Sequence, residues 1–150
     1  MVVTFCGHSR FEGCEEIEQK VLSFLEEKIG NNAAEAYLGG YGQFDAFAYA
    51  CCKKYQKAHK KFSLVFVTPY LTEAYQKNYL CDYEKKYDSI VYPPLEEKPL
   101  KLAIIYRNRY MVDEANYVIA YVTHKFGGAY ATYQYAKRKK KEIYNVAPFL

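Results

Sequence analysis

The sequence predicts an α/β domain built on one open parallel sheet with helices on both faces. Three observations predict it. Strand-like and helix-like segments alternate along most of the chain. Two strand-like runs, Phe62–Thr68 (FSLVFVT) and Asn116–Val122 (NYVIAYV), are almost continuously apolar and rich in β-branched and aromatic residues, as strands are when both sheet faces are covered. Glycine clusters stand where such strands would hand over to helices.

Taken in order, Val2–Cys6 is a short apolar run that Gly7 ends, and it reads as a buried strand. After Gly13, residues Ile17, Val21, Leu22, Phe24, Leu25 and Ile29 recur on one face of a helix, which Gly30-Asn31-Asn32 stops. Ala34–Leu38 is a strand, followed by Gly39-Gly40-Tyr41-Gly42 and a helix from Gln43 to about His59. Phe62–Thr68 is the central strand. Residues 69–99 carry Pro69, Pro93, Pro94 and Pro99 and read as short helix and loop, with a strand at Ser89–Tyr92. A helix then runs from Leu100 to about Glu114, a strand over Asn116–Val122, a helix from Gly127-Gly128 to about Lys140, and a last strand over Glu142–Val146. No repeat, low-complexity tract or linker divides the chain, so residues 1–150 read as a single Rossmann-like domain.

Composition narrows the function classes. The chain is 51% hydrophobic and 25% charged, as soluble globular domains are. Its 18 tyrosines, beside 9 phenylalanines and no tryptophan, suit half-buried strand and helix positions, ligand stacking or a subunit interface. Net charge is only +4. The lysine runs Lys53–Lys61 and Lys137–Lys141 fall where helices should end, where cations complement the helix dipole. This balance argues against nucleic acid as a partner. Five cysteines without C-x-x-C spacing are not a disulfide framework, and a reducing cytoplasm is expected. Cys6, His8 and Cys14 fit no structural zinc spacing, so no metal and no cofactor are expected. MVVTFCGHSR is not a signal peptide, and no run is long enough to cross a membrane.

In open parallel sheets ligands bind at the carboxyl ends of the strands. Three such ends carry unusual residues: Gly7-His8-Ser9-Arg10, Gly39-Gly40-Tyr41-Gly42 leading to Asp45, and Gly127-Gly128. Glycines before a helix N-terminus expose backbone N–H groups that suit phosphate. Arg10, with Arg107 or Arg109, could add the bidentate donors that phosphate prefers. A nucleotide-like small molecule is therefore the expected ligand.

Four segments carry a family resemblance: FCGHSRF at Phe5–Phe11, GGYGQFDAFAYA at Gly39–Ala50, RNRYMVDEANYVIAY at Arg107–Tyr121 and GGAYATYQYAKRKKKEI at Gly127–Ile143. Their order and spacing resemble the YpsA/YoqJ-like branch of the SLOG (Smf/DprA–LOG) superfamily of Rossmann-like domains. The resemblance implies a nucleotide-ligand sensor from bacteria or their phages, compatible with a homodimer. It also implies that Gly7, His8, Arg10, Gly39, Asp45, Arg107, Arg109, Gly127 and Gly128 line the pocket. The superfamily's phosphoribohydrolases carry a P-G-G-x-G-T-x-x-E segment whose glutamate serves N-glycosidic cleavage. Here the stretch Phe126–Gln134 keeps both glycines but has Tyr133 and Gln134 where carboxylates would stand. Neither can serve as a carboxylate base, so the reading is binding without catalysis. The alternatives are an N-glycosidase-type enzyme and a DprA-like single-strand DNA binder.

Overall fold

A computed structural model describes residues 1–150. Six strands form one sheet: β1 (Val2–Gly7), β2 (Ala34–Leu38), β3 (Phe62–Val67), β4 (Ser89–Val91), β5 (Tyr117–Tyr121) and β6 (Glu142–Asn145). Their spatial order is β4-β3-β2-β1-β5-β6, and every pairing is parallel. This is the Rossmann-like α/β architecture that the alternation predicts. The chain builds outward from β1 to β4, then crosses the sheet to lay β5 on the other side of β1. The carboxyl ends of β1 and β5 therefore flank the switch point, where an open parallel sheet leaves a crevice.

Side-chain alternation along β3 explains why the sheet is buried on both faces. Phe62, Leu64 and Phe66 enter the larger core, while Val65 and Val67 enter a core on the opposite face. Helices α1 (Glu15–Lys28) and α2 (Gln43–Ala58) cover the first face, with Val21, Leu25, Phe44, Ala48 and Cys52 packed onto the strands. Helices α5 (Ala103–Glu114) and α6 (Gly127–Arg138) cover the second, where Val112 and Ala136 meet Val118, Ala120 and Val122.

Two stretches take a more definite form than the sequence predicts. Between β3 and β4 the chain is helical from Glu73 to Lys86, as α3 (Glu73–Tyr75), a π-helical turn (Gln76–Leu80) and α4 (Cys81–Lys86). Thr72 caps it, its side-chain oxygen accepting from the Tyr75 N–H. The pattern is obscure in sequence because Leu80 is its one buried residue, while Tyr83 stacks on Phe66. The helix expected from Leu100 begins instead as a 3-10 turn, Leu100–Leu102, with the Leu102 N–H bonded back to the Pro99 carbonyl. No helix is long and apolar enough to cross a membrane.

Just past α6, Lys140 adopts a left-handed conformation at φ 57°, where glycine is the usual residue. Lys140→Gly is expected to raise stability by about 1 kcal/mol by removing the Cβ clash of that conformation. Urea unfolding checks this; an unchanged or lower midpoint would mean the position carries no strain.

Candidate functional site

Three loops meet at the carboxyl edge of the sheet. The β1–α1 loop is joined to the β2–α2 loop by the Gln43 N–H donating to the Ser9 carbonyl (2.9 Å) and the Phe11 N–H donating to Gln43 Oε1 (2.7 Å). It is joined to the β5–α6 loop by the Thr123 N–H donating to His8 Nε2 (2.9 Å). The His8 ring also stacks on His124 at 3.7 Å, and His124 in turn lies 4.0 Å from Phe126. Segments Gly7–Arg10, Gly39–Asp45 and Gly127–Gly128 are thus linked along one edge, directly or through the β5–α6 loop.

The glycines divide into two kinds. A Cβ at Gly7 would stand 2.3 Å from the Phe44 ring, and one at Gly39 would stand 3.2 Å from the Arg107 guanidinium. At Gly40 (φ +65°) it would meet the Phe66 ring at 2.7 Å, and at Gly42 (φ +89°) the Ser9 Cα at 2.8 Å. These four glycines admit close neighbours from inside the protein. Gly127 and Gly128 are different: a Cβ at either would meet nothing within 4 Å. They open α6, whose first backbone N–H groups have no side-chain cap.

The charged residues also separate. Arg107 is 2% exposed. Its Nη1 donates to the carbonyls of Gly39 (3.0 Å) and Val67 (2.8 Å), and its Nε to Asn108 Oδ1. The guanidinium braces the ends of β2 and β3 from below. Arg109 lies two residues further on the same helix and so points elsewhere: it is exposed on the outer face of α5, between Tyr106 and Tyr135. Arg10 is exposed and forms no ion pair. Asp45, in the first turn of α2, accepts from the Tyr41 N–H at 2.9 Å. Burial pushes its carboxyl up to about 6, against the opposing pull of that N–H and of Arg107. The His8 imidazole is pushed down, first by burial and then by His124, and its Nε2 already accepts the hydrogen bond from Thr123. A neutral His8 therefore holds the β5–α6 loop in place.

Sequence reasoning missed Thr123, His124 and Phe126, although all three follow directly on the end of β5, and it did not single out Tyr41. Tyr41 and Phe126 are 66% and 69% exposed, so two large rings stand open at the edge. An open concavity of about 340 Å³ adjoins it past β3 and β4, lined by Tyr70, Leu71, Tyr92 and Leu95 among others. A groove of about 780 Å³ lies elsewhere, between α1 and β6. None of the residues of the three converging loops lines that groove.

No protein-family model matches the chain, and no curated protein matches it in sequence. Solved structures do match. DNA processing protein A from Helicobacter pylori, described for its unique single-stranded DNA binding mode, is similar with a TM-score of 0.60 and 17% identity, over 95% of this chain and 63% of that one. DNA processing protein A (DprA) from Streptococcus pneumoniae is similar with a TM-score of 0.60 and 17% identity, over 94% of this chain and 48% of that one. The chain spans less than two thirds of either protein. The likeness shows the fold, the Rossmann-like α/β one that both of these proteins carry. It also corrects one expectation. The mild net charge argues against nucleic acid as a partner, yet a protein described as binding single-stranded DNA carries this fold. Net charge averages over all faces, whereas a strand needs only a local row of cations, so the total is a poor guide.

Two outcomes test the assignments. Gly7→Ala is expected to destabilise by about 3 kcal/mol because Phe44 cannot yield, whereas Gly128→Ala should be near neutral. Equal effects in thermal unfolding would erase the distinction between packed and open glycines. Asp45→Asn keeps an acceptor for Tyr41. Since burial raises the folded-state value of Asp45, the native protein holds more protons than the unfolded chain between about pH 4 and 6, and stability falls as pH rises through that window. Asparagine removes the penalty, so the variant should be more stable by up to about 3 kcal/mol at pH 7, with the difference vanishing near pH 4. A less stable variant at pH 7 would mean that Arg107 requires the ionised carboxylate.

Proposed function

We propose that the carboxyl edge binds a nucleotide unit without cleaving it, taking phosphate on the N-terminus of α6 and stacking the base on Tyr41 or Phe126. The observation that carries this reading is the open space over Gly127 and Gly128, beside the His8–His124–Phe126 stack. A helix N-terminus offers unpaired N–H donors and the positive end of the helix dipole, which favour an anion. Exposed rings favour a base through its π-face. Lys125 is exposed between His124 and Phe126 in the chain and adds a cation to the same loop.

The unit can be a free nucleotide, as in a sensor of the YpsA/YoqJ-like kind, or one nucleotide of a single strand. The fold shared with DprA supports the second source, and the buried, unpaired thiols Cys6, Cys51 and Cys52 suit a reducing cytoplasm for either. Cleavage finds little support. Tyr133 and Gln134 stand on α6 without charge, and Gln134 donates to the Tyr130 hydroxyl. Asp45 is the one acid of the converging loops with a raised proton affinity.

Gly128→Glu tests the site without threatening the fold. The position has room for a side chain, and an acid in the first turn of a helix is stabilising. The variant should keep its melting temperature yet lose affinity for AMP and TMP at least about tenfold, the scale of one charge-assisted hydrogen bond. Calorimetry with the mononucleotides and with a short oligothymidylate separates the two sources. Unchanged affinity in the variant would remove α6 from the site. Free base released from AMP by the wild type, detected by chromatography, would overturn binding without cleavage.

A further inference from the structure

A second surface of this protein has a distinct chemistry. On the outer face of α5 and α6, cations and tyrosine rings alternate in one continuous row. Lys98 Nζ stands 4.7 Å from the Tyr106 ring centre, and Arg109 lies 5.5 Å from the same ring. Arg109 is also 5.3 Å from Tyr135, whose ring is approached further on by Arg138 at 5.8 Å and Lys139 at 5.5 Å. The four cations are exposed and the two rings are half-buried. The row begins at Lys98, just before α5, and ends at the last turn of α6. Lys98 lines the concavity past β3 and β4, but the row leads away from the carboxyl edge, because Tyr135 lies eight residues into α6 and the helix rises about 1.5 Å per residue.

We propose that this row binds the backbone of a single-stranded nucleic acid. Three features point to that ligand. A guanidinium laid on a ring is held flat with its N–H edge free, which suits bidentate contact with phosphate. The cations follow a single line from Lys98 through Arg109 to the Arg138 and Lys139 pair, which fits one phosphate chain rather than the two strands of a duplex. The rings between the cations offer π-faces to bases once the cations turn to phosphate. The acid in the row, Asp113, is occupied: it accepts from the Tyr135 hydroxyl at 2.7 Å and stands 4.0 Å from Lys139. That bond fixes the Tyr135 ring and leaves Arg109 and Arg138 without an anionic partner.

Fluorescence anisotropy with a labelled oligothymidylate tests the proposal. The pair Arg109→Gln with Arg138→Gln alters exposed side chains and should leave the fold unchanged by circular dichroism. Affinity is expected to fall at least tenfold, and the slope of log affinity against log salt by about 0.7 for each phosphate no longer neutralised. Lys57→Gln with Lys60→Gln removes equal charge at the end of α2, on the other face of the sheet, and should change affinity less than about twofold. Tyr135→Leu keeps every charge and should still weaken binding; if it fails to fold, the arginine pair decides alone. AMP binding should be the same in the arginine pair as in the wild type, so this surface and the carboxyl edge are read by different ligands. Equal losses in the arginine and lysine pairs, an unchanged arginine pair, or no oligonucleotide binding at low salt would each overturn the proposal.

Discussion

The carboxyl edge of this protein depends on one buried cation. Arg107 rises from α5 through the second face of the sheet and places its guanidinium against the ends of β2 and β3, donating to the carbonyls of Gly39 and Val67. A buried charge is tolerated only when it is hydrogen-bonded and electrically compensated. The strand-end carbonyls meet the first need, and Asp45 helps to meet the second. The dependence runs both ways. Gly39 is a glycine because the guanidinium lies on its Cα, and Gly40 can turn onto Phe66 only because the chain leaves β2 in that direction. The β2–α2 loop is therefore set before any ligand arrives, and through Gly42 and Gln43 it sets the β1–α1 loop as well.

This arrangement separates holding a shape from meeting a ligand. The glycines of the first two loops are filled from within, by Phe44, Arg107, Phe66 and Ser9. What remains open is the start of α6, reached through the β5–α6 loop that neutral His8 retains. A rigid frame on one side and free backbone donors on the other is a sound design for recognition, since preorganised donors need no reordering on binding. Under the proposed reading the edge binds without cleaving, since N-glycosidic cleavage calls for a charge placed against a developing cation. Tyr133 and Gln134 supply none.

Arg107 and Arg109 show how one helix serves two purposes. They are two residues apart, so they point to opposite sides of α5. One is consumed in bracing the sheet; the other stands in water between two tyrosines. Reading both as pocket residues treats the motif as a unit, whereas helical geometry divides it. The same division applies to the tyrosines. Tyr55 and Tyr87 are core residues, while Tyr106 and Tyr135 carry cations on the surface.

By itself the sequence determined the order of elements and the class of fold. Apolar runs such as FSLVFVT are strands covered on both faces, and helical periodicity with glycine stops bounds α1, α2 and α6; both are local signals, written in consecutive residues. It also named the three loops that meet, because a parallel sheet puts every βα loop at one edge. The bounds of the helical stretch from Glu73 to Lys86 were not legible, since its packing onto Phe66 and Tyr87 leaves little periodic apolar face. Nor could the sequence tell a glycine that admits Phe44 from one that faces open space, or a buried Arg107 from an exposed Arg109. Those differences depend on which side chain arrives from a distant part of the chain: Phe44 lies 37 residues after Gly7, and Arg107 lies 68 after Gly39. Only the tertiary structure decides them, because close approach is a property of space and not of spacing.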